Sequence, residues 1–369
     1  MGVLRIALAM AVLLGHLPIA QYQFVNAAFA VQGFYVVSGF YMALVLDGKY
    51  KDVGLFYSNR LVRLAPVYLV MMAVSAFTLW GLNASATSAP SIFAQVFANP
   101  LSAVIMGFEN LFVIGQELLF WFTIGGDGAL HFDASGALPS ETTSVAWQGL
   151  LLPQAWSISM ELMFYALAPW LARLSWRWLV VIALASMALR FAGQLLPVSY
   201  PLWCGRLFPP ALFLFVFGML AHRALPIANR LPKAIGWIAA ALIVGVVVAL
   251  PLSHISASIQ RWIIYLAIAA AAPFMFNAFK ANAIDRWIGD MSYPLYLSHL
   301  VVVGLVLTFI PNAPWALWAA IGGALAVSIL LLILVDHPVD RWRQRRAQRA
   351  AQGAGEPTPA PDAATLALD

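Results

Sequence analysis

An arginine and a histidine sit eleven residues apart in an otherwise apolar run at the start of the chain, at Arg5 and His16. At 100° per helical residue the two are about 20° from perfect alignment. They share one face of a helix and lie about 16.5 Å apart along its axis. A charged side chain within a membrane helix costs about 2.5–3.5 kcal/mol on insertion scales, so each calls for an explanation. Arg60 and Arg63 follow at i and i+3, on one face at the start of another apolar stretch. Three guanidinium groups gathered at one membrane boundary make an anion site, because the planar fork binds two phosphate oxygens at once. An imidazole deeper on the Arg5 face, with an unperturbed pKa of about 6.5, is suited to act as general base toward a hydroxyl.

Each residue also has a plainer reading. Basic residues beside membrane helices commonly anchor topology, and a lone histidine is often a hydrogen-bonded core group. The co-facial Arg5–His16 pair and the Arg-x-x-Arg pair together favour the chemical reading. Glu161 lies about six residues into an apolar stretch, roughly 9 Å deep, where it is expected to orient His16 or to pair with Arg190. Ser38, beside Gly39, is small enough for close helix packing around a site. Tyr35, Tyr57 and Tyr165 are candidates for hydrogen bonds to a substrate, although aromatic residues also gather at membrane interfaces. His299 reads as structural unless its helix faces a cavity. His131 and Asp133 are too few to hold a metal, and none is expected. The single cysteine, Cys204, rules out an internal disulfide.

The elements that must carry these side chains follow from composition. Hydrophobic residues are 63% and charged residues 9% of the chain, with a mean hydropathy of +0.85. A soluble domain usually carries about 25% charged residues, so the bilayer must be this protein's solvent. Ten stretches are long and apolar enough to approach a membrane span of about 20 residues. They run roughly over 5–22, 27–47, 62–82, 155–172, 178–197, 207–224, 234–252, 260–279, 291–311 and 315–336. With the N-terminus in the cytoplasm, 17 of the 20 Lys and Arg residues fall on the cytoplasmic side. Arg206 and Arg261 fall outside and Arg190 within a span. The positive-inside asymmetry therefore places both termini in the cytoplasm. It also accounts for the net charge of +5 without a nucleic-acid partner.

Residues 99–124 are apolar but carry Glu109 and Glu117. Counting them as a span would invert every later loop, so 83–153 reads as a long external segment containing a re-entrant or interfacial helix. Long loops of this kind often contribute to a site. Ala28-Phe29-Ala30 also resembles a secretory cleavage site, but a further apolar span follows it at once. The expected division is a transmembrane domain over 1–338 and a tail over 339–369. In the tail, Arg341 to Arg349 face anionic lipid and the remainder is disordered.

Five stretches carry a resemblance to the integral membrane acyltransferase-3 family, which includes O-antigen and exopolysaccharide O-acetylases. They are Arg5 with His16 after ten residues; Gly33-Phe-Tyr-Val-Val-Ser38-Gly39-Phe40; Phe56-Tyr57-Ser-Asn-Arg60-Leu-Val-Arg63-Leu-Ala-Pro66-Val-Tyr68; Trp156-Ser157-Ile-Ser159-Met-Glu161-Leu-Met-Phe164-Tyr165; and Gly289-Asp-Met-Ser292-Tyr293-Pro-Leu-Tyr296-Leu-Ser-His299. The resemblance implies an all-α integral membrane fold of about ten helices. It implies acetyl-CoA or another acyl-CoA as donor substrate, with no tightly bound cofactor, and a carbohydrate-like acceptor. Carried over by position, it makes His16 the essential histidine and Arg5, Arg60 and Arg63 the functional arginines. The chain departs from the family where two adjacent acids are common, having Glu161 followed by Leu162, and where it ends Asp336-His337-Pro338.

Two functions compete on this sequence. One is a multi-pass O-acyltransferase of the plasma (inner) membrane. It moves an acyl group from cytosolic acyl-CoA to a hydroxyl of a carbohydrate or lipid-linked glycan, with His16 as base or acyl relay and Glu161 as a second catalytic group. The other is a secondary transporter or flippase of an anionic or glycan substrate. No repeat relates the halves, as transporters often have, and the key residues crowd into the first 63 positions. Both facts favour the enzyme. Membrane lipid is the surrounding partner, and a homo-oligomer is left open.

Overall fold

The computed structural model describes residues 1–18, 24–48, 53–136, 139–140, 143–343 and 345. Lys49, Lys51, Arg346, Arg349 and the tail from 346 onward lie outside the described residues.

Among the described residues, fifteen α-helices run in chain order: α1 Gly2–Gly15, α2 Ala27–Gly48, α3 Val53–Ala76, α4 Pro90–Phe97, α5 Pro100–Phe112, α6 Trp156–Ala172, α7 Trp176–Ala192, α8 Tyr200–Arg206, α9 Phe208–His222, α10 Leu225–Ala228, α11 Lys233–Ala249, α12 Ala257–Phe279, α13 Ala283–Asp290, α14 Ser292–Phe309 and α15 Ala316–Leu331. A helix stands at each of the ten apolar stretches. Among the described residues, seven helical segments are long and apolar enough to cross a membrane, and eight if α8 and α9, bent by 44°, act as one. The bend falls where Leu207 is extended (φ −113°, ψ 133°) just before Phe208-Pro209-Pro210. The architecture is that of an all-α membrane protein.

Neither the helix that His16 follows nor the helix bearing Glu161 is long enough to cross the bilayer by itself. α1 has 14 residues and α6 has 17, about 21 and 25 Å against a hydrocarbon core of about 30 Å. The sequence places His16 within a span over 5–22. Instead α1 ends at Gly15 and His16 is its C-cap, so the imidazole stands at a helix end.

Residues 83–153 fold as helices and a small sheet. Asn99 caps α5 by accepting hydrogen bonds from the N–H groups of Leu101 and Ser102 at 3.1 and 3.2 Å, and Pro100 fits the first turn. Val113, left-handed at φ 68°, ends the helix. At 13 residues α5 spans about 20 Å, too little to cross. A 3-10 turn over Gln116–Trp121 leads into the antiparallel strands β1 Phe122–Ile124, β2 Leu130–Phe132 and β3 Ser144–Val145, ordered β2-β1-β3. The sequence reading contains no sheet there.

Two contacts fix the bundle around the site. α2 and α9 pack backbone to backbone: a Cβ on Gly39 would lie 1.9 Å from Phe215 O, and one on Gly218 would lie 2.0 Å from Val36 O. At the start of α1, Asp285 accepts from the Met1 ammonium at 2.5 Å and from the N–H groups of Gly2 and Val3 at 2.8 and 3.0 Å. Asn282 caps α13 and holds Asp285 in place through its backbone N–H.

Candidate functional site

A cavity of about 940 Å³ opens between α1, α2, α3, α6 and α14. Its walls bring together Arg5, Tyr35, Ser38, Arg60, Arg63, Glu161 and Tyr165, from four separate helices. Tyr57 is not in these walls. Its hydroxyl donates to Ala166 O at 2.9 Å, tying α3 to α6 instead.

The arginines gather at the end of the bundle that holds the N-terminus. Arg60 is buried, its Cζ 5.9 Å from the Phe56 ring, and its Nε has no hydrogen-bond partner among the described residues. Arg5 faces Asp290 at 3.8 Å, an ion pair too long for a hydrogen bond. Asp290, Asp336 and Asp340 lie within Coulombic reach of Arg63. These acids offset part of the positive charge, and the sequence reading assigned them no role at the arginines.

Glu161 does not meet Arg190. One of its oxygens, Oε1, accepts hydrogen bonds from Ser38 Oγ at 2.7 Å and from Tyr165 Oη at 2.5 Å, joining α2 to α6 at the cavity wall. Arg190 is 1% exposed and is satisfied by neutral groups. It donates to Cys204 O at 2.7 Å and Gln32 Oε1 at 3.3 Å, and stacks 5.5 Å from Phe213. Tyr265 also donates to Gln32.

His16 lies beyond the cavity wall. Its ring centroid is 5.1 Å from that of His299, and the His299 ring is 5.7 Å from Tyr296, which lines the cavity. Tyr296 Oη lies 2.7 Å from both Ser157 Oγ and Gln154 O. The backbone assigns the histidine protons. Nδ1 of His16 is 2.8 Å from Val12 O and Nδ1 of His299 is 2.6 Å from Tyr296 O. A carbonyl only accepts, so in the neutral rings each Nδ1 carries the proton and each Nε2 the lone pair. Nε2 of His299 is buried with no partner among the described residues. The His16 imidazole, packed against that of His299, thus reaches the arginine-rimmed cavity by way of His299 and Tyr296.

The sequence left out Tyr293 and Tyr296, which complete the wall, and took His299 as structural. Their signal lay in the Ser292-Tyr293-Pro-Leu-Tyr296-Leu-Ser-His299 stretch: two successive i, i+3 spacings put Tyr296 beside Tyr293, and His299 beside Tyr296, on the surface of α14.

Beyond the histidines, Ser159 of α6 meets the α5–β1 connection by accepting from Gly115 N–H at 2.9 Å. Burial raises the Glu109 carboxyl to about 7, helped by the neighbouring Glu117 charge. Burial also raises Glu117, against the hydrogen bond it receives from Ser159. Each carboxyl keeps one buried oxygen without a partner among the described residues.

A family model described as an acyltransferase domain matches residues 1–335 of this chain, which includes all five motif stretches. The exopolysaccharide production protein ExoZ of Rhizobium meliloti (strain 1021) is 23% identical over 344 residues, covering 90% of this chain and 95% of that protein. No solved structure matches.

Proposed function

This chain belongs to the acyltransferase domain family, and on that premise we propose that it transfers an acyl group, acetyl in the first instance, from cytosolic acyl-CoA to a hydroxyl of a carbohydrate acceptor. The observation that carries the reading is the cavity itself. It is rimmed by Arg5, Arg60 and Arg63 at one end and closed at the other by Tyr296, against which His299 packs with His16 behind it.

The phosphates of coenzyme A sit at the arginine end, where they displace Asp290 and Asp336 as partners of the guanidinium groups. The acyl arm runs along the cavity past Ser38 and Tyr165 toward Tyr296. At the far end Nε2 of His16 takes the acceptor hydroxyl proton while the oxygen bonds to the thioester carbon. The C–S bond then breaks, and the proton passes from His16 to the departing thiolate. A relay in which the acyl group first rests on His16 uses the same lone pair. A cytosolic donor puts the arginine end and the N-terminus in the cytoplasm, with the protein in the plasma (inner) membrane. ExoZ, named for exopolysaccharide production, supports a polysaccharide or its lipid-linked precursor as acceptor.

The test is release of free CoA from radiolabelled acetyl-CoA by purified protein in liposomes. Wild type turns over and folded His16→Ala loses about 10²–10⁴-fold, the usual span for a general base. Equal turnover by the two proteins would remove His16 from the chemistry. A wild type that neither binds CoA nor turns over any acyl-CoA would defeat the whole reading.

A further inference from the structure

Arg206 ends α8 at the bend into α9, on the histidine side of the cavity. Its guanidinium packs in the corner between two aromatic rings set at 74° to each other, with Cζ 3.3 Å from the Phe120 ring centroid and 4.3 Å from that of Trp156. Phe120 is itself stacked on Trp147 at 5.4 Å and 13°, so the corner is rigid. Arg206 makes no hydrogen bond or ion pair among the described residues, and its Nη1 is buried without a partner. Packing against aromatic rings places the charge but leaves the buried Nη1 donor unmatched.

A second orphan stands nearby. Tyr35 Oη is buried and has no hydrogen-bond partner among the described residues, although its ring is fixed by stacking on Phe215 at 4.6 Å and 20°. Tyr35 lines the cavity. Arg206 lies within Coulombic reach of Tyr35, Tyr296 and His16. Donors held by packing, and matched to nothing in the resting protein, are what a charge appearing only during reaction requires.

We propose that Arg206 Nη1 and Tyr35 Oη form the oxyanion-stabilising pair of the transfer site. They donate to the thioester carbonyl oxygen as attack makes it an alkoxide-like anion. This inference rests on the acyltransferase reading above. When the acceptor oxygen adds to the carbonyl carbon, the C=O electron pair moves onto its oxygen and is held there by the two donors. It returns as the C–S bond breaks, and the proton on His16 goes to the sulfur. No other reactant is needed. Trp156 and Phe120 position Arg206, as Phe215 positions Tyr35.

The experiment measures kcat and KM for acetyl-CoA in liposomes, with acceptor and with water as the only acceptor, for wild type, His16→Ala, Arg206→Gln, Arg206→Lys and Tyr35→Phe. Arg206→Gln is expected to lower kcat about 10²–10³-fold, as loss of one oxyanion donor does, in both acceptor conditions and with KM for acetyl-CoA within about twofold. Arg206→Lys retains the charge but not the fork and falls between. Tyr35→Phe keeps the stacked ring, so its fold is safe, and kcat falls at least about tenfold. Turnover at the wild-type rate in Tyr35→Phe and Arg206→Lys would overturn the proposal, even if Arg206→Gln failed to fold. So would an Arg206→Gln defect confined to acceptor KM with hydrolysis intact, which would make Arg206 an anchor for an anionic acceptor. A wild type without turnover removes the acyltransferase reading and this one with it. A turning-over wild type with an inactive His16→Ala and an unaffected Arg206→Gln removes this one alone.

Discussion

The Glu161 carboxylate accepts both of its hydroxyl hydrogen bonds, from Ser38 and Tyr165, on the same oxygen. Glutamine can accept both on its own Oε1, so Glu161→Gln removes the charge while keeping the bridge between α2 and α6. The Glu161→Gln protein should therefore melt within a few degrees of wild type, and its kcat should fall about tenfold or more if the charge acts on the transfer. Glu161→Ala leaves two hydroxyls without an acceptor and should lose stability as well, at about 1.5–3 kcal/mol for each bond to a charged group. Thermal unfolding in detergent, run beside CoA release, separates the two. Wild-type turnover in Glu161→Gln would reduce Glu161 to a structural bridge. At this scale the sequence exposed the groups whose presence in an apolar helix is costly: Arg5, Arg60, Arg63 and Glu161 stood out for that reason. Ser157 and Tyr296 did not, because a serine or tyrosine costs little in such a helix. The pairing of His16 with His299 was invisible, since it depends on how two helices far apart in the chain are laid together.

Among the elements, the connection from α5 to β1 is where pH should act. The Glu109 carboxyl is raised from the ordinary value of 4.5 to about 7 by burial and by Glu117. Between those two values the folded segment holds more protons than the unfolded one. Its stability is therefore complete below about 4.5 and declines as pH rises through about 7. Hydrogen–deuterium exchange of the α5 peptides, corrected for intrinsic rates, should show weaker protection at pH 8 than at pH 5. Glu109→Gln should remove most of that difference. Protection that rises with pH, or a slope unchanged in Glu109→Gln, would rule this out. The ends of α5 were legible in Asn99-Pro100, a cap followed by a proline suited to the first turn. The sheet was not, because strands of two and three residues are too short for an alternating pattern to register. The C-terminal end of α1, expected near residue 22 and found at Gly15, was missed for a different reason, whereas α6, expected over 155–172, runs Trp156–Ala172. Apolarity continues past Gly15, so hydropathy extends a span that backbone geometry stops.

The whole bundle depends on helices brought together from distant parts of the chain, and hydropathy shows where helices stand in the sequence but not which of them are neighbours. Gly39 was legible as a packing residue beside Ser38, but its partner Gly218 was not, since nothing in either helix names the other. Their contact holds α2, with Tyr35 and Ser38, against α9. A methyl on Gly218 would meet Val36 O at 2.0 Å, Phe40 N at 2.5 Å and Gly39 C at 3.0 Å. All three are backbone atoms, so no rotamer change can relieve the clash and the helices must separate. Gly218→Ala should destabilise the protein by about 2 kcal/mol or more, at the upper part of the range for overpacking. Because α2 forms one cavity wall, acetyl-CoA turnover should fall with it. Gly245 is the control: it lies inside α11 with nothing within 4 Å of an added Cβ. Gly245→Ala should be neutral or gain up to about 1 kcal/mol from helix propensity. Thermal unfolding of the two variants in the same detergent compares a buried helix crossing with an open helix face. Equal melting temperatures would mean that the α2–α9 crossing yields easily and does not set the shape of the site. A large drop confined to Gly218→Ala, with loss of turnover, would tie the cavity's geometry to this one crossing.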